Sequence, residues 1–370
     1  MKNNEFLIVK LFIVIVLISG YLIPNIEIFN YPAAKLFFLI GSVLFYIAFL
    51  KKITIFDYIF SAILILFAIL FKNLNFLMFI YLPLAKKIIE YKELISDYLK
   101  KSNILYICLF ATIIYTIKYF GENGRYAFSS IHEINQSGLS IFLLGTMLLK
   151  KNKKAGIITL LFGLLTFSRS YYLAFSLLIM GKYLKFNFKE KFVNKINYFN
   201  VTVVSSILLF CLGLFYINQY KLGNITLSDD NLSRIFNILD YSNLFRFSTV
   251  VFLFYILKAK PFLLISGMSN EYYINCSYEY ANLLGIPYVK NIPHNLFLSH
   301  LKMYGIISIF ETVYISIVLS KIVNNSNLMI YLAIIFYSIF LGSGLFNYWL
   351  FLTIFALLLS EKEDEMYEKN

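Results

Sequence analysis

The chain has 370 residues, of which 60% are apolar and only 14% charged, and its mean hydropathy is +0.73. Soluble domains are nearer half apolar and a quarter charged, so a soluble enzyme, a disordered chain and a secreted disulfide scaffold are excluded. The net charge of +13 points either to membrane topology or to nucleic acid, and the placement of the basic residues decides between them.

Apolar runs predict helices at 5–23, 33–50, 53–71, 73–89, 103–120, 136–149, 155–168, 170–184, 199–217, 301–320, 328–345 and 347–360. A bilayer core needs about 20 residues per spanning helix and offers no hydrogen bonds to backbone. The fold class expected is an all-α integral membrane protein of about 12 transmembrane helices, one polytopic domain over 1–370. Sustained period-two alternation is absent, which excludes an outer-membrane barrel. The first run follows Met1 and Lys2 with no small-residue cleavage site, so it reads as an uncleaved helix.

Lysine orients these helices. Lys51 and Lys52 follow the second run; Lys86, Lys87, Lys92, Lys100 and Lys101 lie between the fourth and fifth. Lys150, Lys151, Lys153 and Lys154 follow the sixth, and Lys182, Lys185, Lys189, Lys191 and Lys195 follow the eighth. All fall on one side of the membrane, the cytoplasmic one by the positive-inside rule, and both termini fall there too. The charge is thus topological, and no nucleic acid is expected as a partner.

Two segments face the other side. One is the loop at 121–135. The other is the stretch 218–300, a large extracytoplasmic loop too long to lack structure of its own. Within it Phe247–Ile256 is apolar and reads as a helix lying on the membrane or dipping into it. The hairpin 155–184 allows about 15 residues per arm, roughly 22 Å at 1.5 Å per residue, short of a ~30 Å core. Its tip, Ser168-Arg169-Ser170, is expected below the outer surface, lining a wet cavity.

Of 33 basic residues only four are arginine: Arg125, Arg169, Arg234 and Arg246. All four are predicted on the outer side, where lysine is scarce. The guanidinium fork grips phosphate or carboxylate bidentately, so these residues suit a diphosphate or acidic-sugar ligand. Any one of them can instead snorkel to headgroups or pair with Glu122, Asp229 or Asp230. Histidine is equally sparse. His294, in Ile292-Pro293-His294-Asn295, is placed to accept a proton near neutrality, and His300 to assist it. His132 reads as structural. The three cysteines and three histidines show no zinc spacing, so neither metal nor cofactor is expected.

The stretch HNLFLSHLKMYG, which is His294-Asn295, nine residues and Gly305, resembles a motif of bacterial O-antigen ligases, with looser versions in the related O-antigen and capsule repeat-unit polymerases. Other segments fall in the family's order. The run GRYAFSSIHEINQSGLSIF around Arg125 is similar to its arginine loop. LLTFSRSYYLAF around Arg169 is similar to its intramembrane Ser-Arg motif. RFSTVVFLFYILKAKPFLLISGMSN, opened by Arg246, is similar to the arginine, amphipathic helix and Gly-rich turn before the histidine. It departs in having Leu253 or Phe254 where Trp is common, and one glycine, Gly267.

The resemblance implies a GT-C-like membrane glycosyltransferase whose large outer loop carries short helices. Its donor would be an undecaprenyl-diphosphate-linked oligosaccharide, and no metal or nucleotide would be used. It implies catalytic roles for His294, Arg169 and Arg246 and substrate binding by Arg125, Arg234, Asn295 and His300. It further implies a packing role for Gly305, a site facing outward from the bacterial cytoplasmic membrane, and a chain-length regulator and flippase as partners. Ser308 stands where ligases carry Gly, Thr or Tyr, which favours a polymerase over an O-antigen ligase. A flippase for the same lipid is the alternative from another class; it would show two similar halves, and none are evident.

Overall fold

The computed structural model describes residues 2–23, 27–28, 31–49, 53–118, 134–166, 168–184, 196–226, 237–288, 292–293, 295–340 and 346–360. Among these, the regular structure is helical apart from a short antiparallel pairing of β1 (Glu27–Ile28) with β2 (Tyr31–Pro32) and an isolated parallel bridge between Thr226 and Asp240. The contacts group the chain into two compact units: Met1–Asn197 with Tyr314–Tyr337 and Gly344–Asn370, and Tyr198–Val313 with Ser338–Ser343.

The first unit holds α1 (Lys2–Leu17), continued by a π turn at Ile18–Leu22, then α2 (Ala33–Ala48), α3 (Ile55–Leu70) and α4 (Tyr81–Ile88). It continues with α5 (Lys92–Lys101), α6 (Ile104–Lys118), α7 (Ile134–Lys151), α8 (Lys153–Gly163) and α9 (Arg169–Leu184). Asn152 ends α7 and starts α8: its side chain accepts from the amides of Lys154 and Ala155, which fixes the reversal. The two arms then approach closely, because Gly145 lies against Leu160 and Gly156 against the backbone of Leu149.

In the second unit, α10 (Tyr198–Lys221) and α11 (Tyr241–Ala259) form an antiparallel pair. Gly213 presses on the carbonyl of Phe247, and Phe210 meets Phe254 edge-on. Then come the single turn α12 (Leu263–Ser266), α13 (Asn270–Leu284), α14 (Leu296–Tyr304) and α15 (Ile307–Ser320), which continues into the first unit from Tyr314. The last helices are α16 (Leu328–Phe340) and α17 (Tyr348–Ser360). Every residue of α17 is buried, as expected of a helix apolar on all sides at the centre of a packed bundle.

Among the described residues, three helical segments are long and apolar enough to cross a membrane: Glu5–Leu22, Tyr198–Lys221 and Tyr241–Ala259. Seven further apolar helices run to 10–17 residues. The all-helical, apolar expectation therefore holds, while most of the twelve predicted runs fold as helices shorter than a full span. Two runs differ in kind. Residues 301–320 break at Gly305 into α14 and α15. The apolar stretch 247–256 lengthens into α11, which packs along α10 and is itself long enough to span.

Candidate functional site

The motif spacing has a structural meaning. The nine residues between Asn295 and Gly305 are α14 itself, Leu296–Tyr304. Asn295 is its N-cap: the side-chain oxygen accepts from the amide of Leu298 at 3.0 Å, and the residue is 1% exposed. Gly305 ends it with φ +55°, a conformation costly to any residue with a Cβ. Ser308 closes the turn, its buried hydroxyl donating to the Gly305 carbonyl at 2.7 Å.

Gly267 ends α12 in the same way, at φ +71°. Its α-carbon lies against the carbonyl of Met303, and a Cβ on Gly305 would come within 2.5 Å of the carbonyl of Ile265. The Met268 amide donates to the Lys302 carbonyl at 2.6 Å. Two helix ends thus interlock through paired glycines, and Gly305 ends a helix here where the sequence reading places it within one that packs on a neighbour.

Two ionisable side chains of α14 are buried. His300, 3% exposed, places Nδ1 at 2.6 Å from Oε2 of Glu311 on α15, itself 2% exposed. The Tyr304 ring stands edge-on to the imidazole, centroids 5.4 Å apart. Lys302, fully buried, donates to Oδ1 of Asn270 and lies 5.2 Å from the ring centroid of Tyr273, both on α13.

Arg246 lies in the second turn of α11, partly exposed, between the core residues Leu244 and Phe247. Leu298 and Leu301 of α14 belong to that same apolar cluster. Arg169 opens α9 in the first unit, between the buried Ser168 and Ser170. Tyr171 and Tyr172 fasten this turn by donating to the carbonyls of Leu160 and Leu164. The Arg169 side chain, and all of Arg125, Arg234 and His294, lie outside the described residues. Of the seven predicted site residues, Asn295 and His300 share α14, Arg246 shares their unit, and Arg169 belongs to the other unit. His300 is packed inside and engaged with Glu311, not presented on a surface.

Glu311, Lys302 and Asn270 are absent from the sequence-based site. A signal for the first two was present: each is a charge within the predicted apolar run 301–320, where an ionisable residue is itself a pointer to function. Among the described residues, no group of three or more His, Cys, Asp or Glu is placed to hold a metal ion. No family model matches the chain, nor does any curated protein or solved structure. The likeness to O-antigen ligases and polymerases therefore rests on the motifs and their order.

Proposed function

We propose that this protein is a membrane glycosyltransferase that polymerises undecaprenyl-diphosphate-linked oligosaccharide repeat units into O-antigen or capsular polysaccharide. It works at the outer face of the bacterial cytoplasmic membrane, with about twelve membrane passages, a GT-C-like arrangement, both termini inside and the segment 218–300 outside. The observation that carries the reading is that the His294-Asn295-x9-Gly305 motif coincides with one capped helix, α14, closed at its far end by an obligate glycine turn.

The chemistry follows from the residue types. Transfer breaks the bond between the growing glycan and its lipid diphosphate and makes one to an acceptor hydroxyl. The leaving diphosphate gains negative charge, which Arg169 and Arg246 stabilise where it develops, with Arg125 and Arg234 holding diphosphate or glycan. The acceptor hydroxyl gives its proton to His294, acting as general base. A lipid diphosphate is a good leaving group, so this scheme needs no metal.

Arg169→Ala and His294→Ala in the producing cell are expected to leave the protein inserted and to stop chain extension, so that single repeats accumulate on lipid. Normal long-chain polymer in either variant refutes the site. Loss of glycan from lipid A-core with lipid-linked polymer intact identifies a ligase. Failure of single repeats to reach the outer leaflet identifies a flippase. Alkaline phosphatase fused after residue 230 is expected to be active; an inactive fusion places 218–300 in the cytoplasm and ends the scheme.

A further inference from the structure

Lys302 lies in the last turn of α14 and is fully buried. Its ammonium has three hydrogens to donate. One goes to Oδ1 of Asn270, and the charge rests against the Tyr273 ring, 5.2 Å from its centroid. Both partners are neutral. Among the described residues Lys302 makes no ion pair, and Glu271, the acid beside Asn270, is exposed and does not reach it. A cation held inside without a counter-ion is costly, and an ionisable residue within a predicted span is a pointer to function.

The element it reaches is itself electropositive. Helix α13 starts at Asn270, and Ser269 caps it by accepting from the amide of Tyr272 at 3.1 Å. The Ser269 carbonyl accepts from the amide of Tyr273 at 3.0 Å. The amides of Asn270 and Glu271 are left without a helical acceptor, at the positive end of a helix of 15 residues. The Met268 amide donates to the Lys302 carbonyl, so the start of α13 and Lys302 are held together. Asn270 is exposed while its side chain touches Lys302, so the ammonium lies one side chain deep. A buried cation and a helix N-terminus thus converge on one neutral amide. Both favour negative charge, and no described carboxylate supplies it. Phe262, Leu264 and Ile265, just before the Gly267 turn, are large, apolar and exposed beside this place.

We propose that Lys302 and the first amides of α13 bind the phosphate of an anionic lipid, whose chain lies on Phe262, Leu264 and Ile265. The phosphate replaces Asn270 Oδ1 as acceptor from the ammonium and takes the free helix amides as further donors. The chemistry is shared by a phospholipid headgroup and a prenyl diphosphate. The site stands on this geometry and not on the transfer reaction proposed above.

The test reads binding to the full chain in detergent, by thermal shift and native mass spectrometry. The probes are farnesyl diphosphate and dioleoylphosphatidylglycerol, with farnesol and dioleoylglycerol as phosphate-free controls. At least one anionic probe is expected to bind wild type, and its control to bind at least tenfold more weakly. Lys302→Met is expected to weaken the anionic probe roughly tenfold or more. Asn270→Asp gives the ammonium a built-in carboxylate. It is expected to raise the melting temperature without probe by about 2–4 °C and to weaken the probe by a similar tenfold. Should K302M not be monodisperse, N270D decides alone. A Lys302-dependent effect of farnesyl diphosphate identifies a prenyl diphosphate site; the same pattern with the phosphatidylglycerol alone identifies a headgroup site. Either upholds the proposal. No binding of either anionic probe to wild type overturns it, as does equal binding by wild type and N270D, or a control that binds as tightly as its anionic probe. Binding is read without turnover, so its failure leaves the transferase reading to its own experiments.

Discussion

Gly267 and Gly305 are locked together: each ends a helix at positive φ, and each lies against a backbone carbonyl just before the other's turn. The relationship is reciprocal, so neither turn can shift without displacing its counterpart. It ties α12, on the segment opened by Arg246, to α14, on the segment opened by His294.

Ala at either glycine adds a Cβ both to a left-handed conformation and to a space already filled by backbone. Each of Gly267→Ala and Gly305→Ala is expected to cost about 1–3 kcal/mol. The double variant is expected to cost less than the sum, since the first substitution already opens the crossing. Thermal unfolding in detergent reads all three. A melting temperature within about 1 °C of wild type for G305A contradicts the clamp.

Asn295 caps α14, and a cap is replaceable by chemistry of the same kind. Asn295→Asp and Asn295→Ser are expected to keep the stability of the protein, while Asn295→Ala loses about 1 kcal/mol. If polymer synthesis follows the same ranking, the residue serves the turn. If Asp and Ser are stable but inactive, the amide itself touches substrate.

Asp57 gathers three helices of the first unit. It caps α3 with Thr54, accepts from Lys86 of α4 at 3.1 Å, and accepts the Tyr314 hydroxyl of α15 at 3.0 Å. Asp57→Ala strips all of these partners and is expected to cost about 3 kcal/mol, whereas Tyr314→Phe removes one bond and about 1 kcal/mol. Equal losses in the two variants contradict the arrangement. Proteolytic susceptibility of the membrane-inserted protein provides the comparison.

Much of the helical order was legible in the sequence because apolar runs and their lysine flanks are long-range signals. The ends of α3 at Ile55 and Leu70, and of α17 at Tyr348 and Ser360, fall within two residues of the runs that predict them. The break at Gly305 was not, since hydropathy sees an unbroken run across 301–320 while the backbone obeys one positive-φ residue. Glu311 was passed over for a related reason. A single acid barely lowers the mean of an apolar window, and its partner His300 lies on a different helix after the break. Lys302 shows the opposite failure: its charge suggests solvent, yet Asn270 and the Tyr273 ring give it a place inside. The predicted arginine and histidine roles at Arg125, Arg234 and His294 fall outside the described residues.

Helix α3 has 16 residues and α15 has 14, each bounded by described turns, so their lengths are about 24 Å and 21 Å at 1.5 Å per residue. Along α3 the exposed face is apolar from Ile55 and Phe56 to Ile69 and Leu70. A bilayer that wets such a face without covering polar ends must pinch inward around the protein, since its resting core is about 30 Å. The lipid annulus would then be thinner than the surrounding membrane.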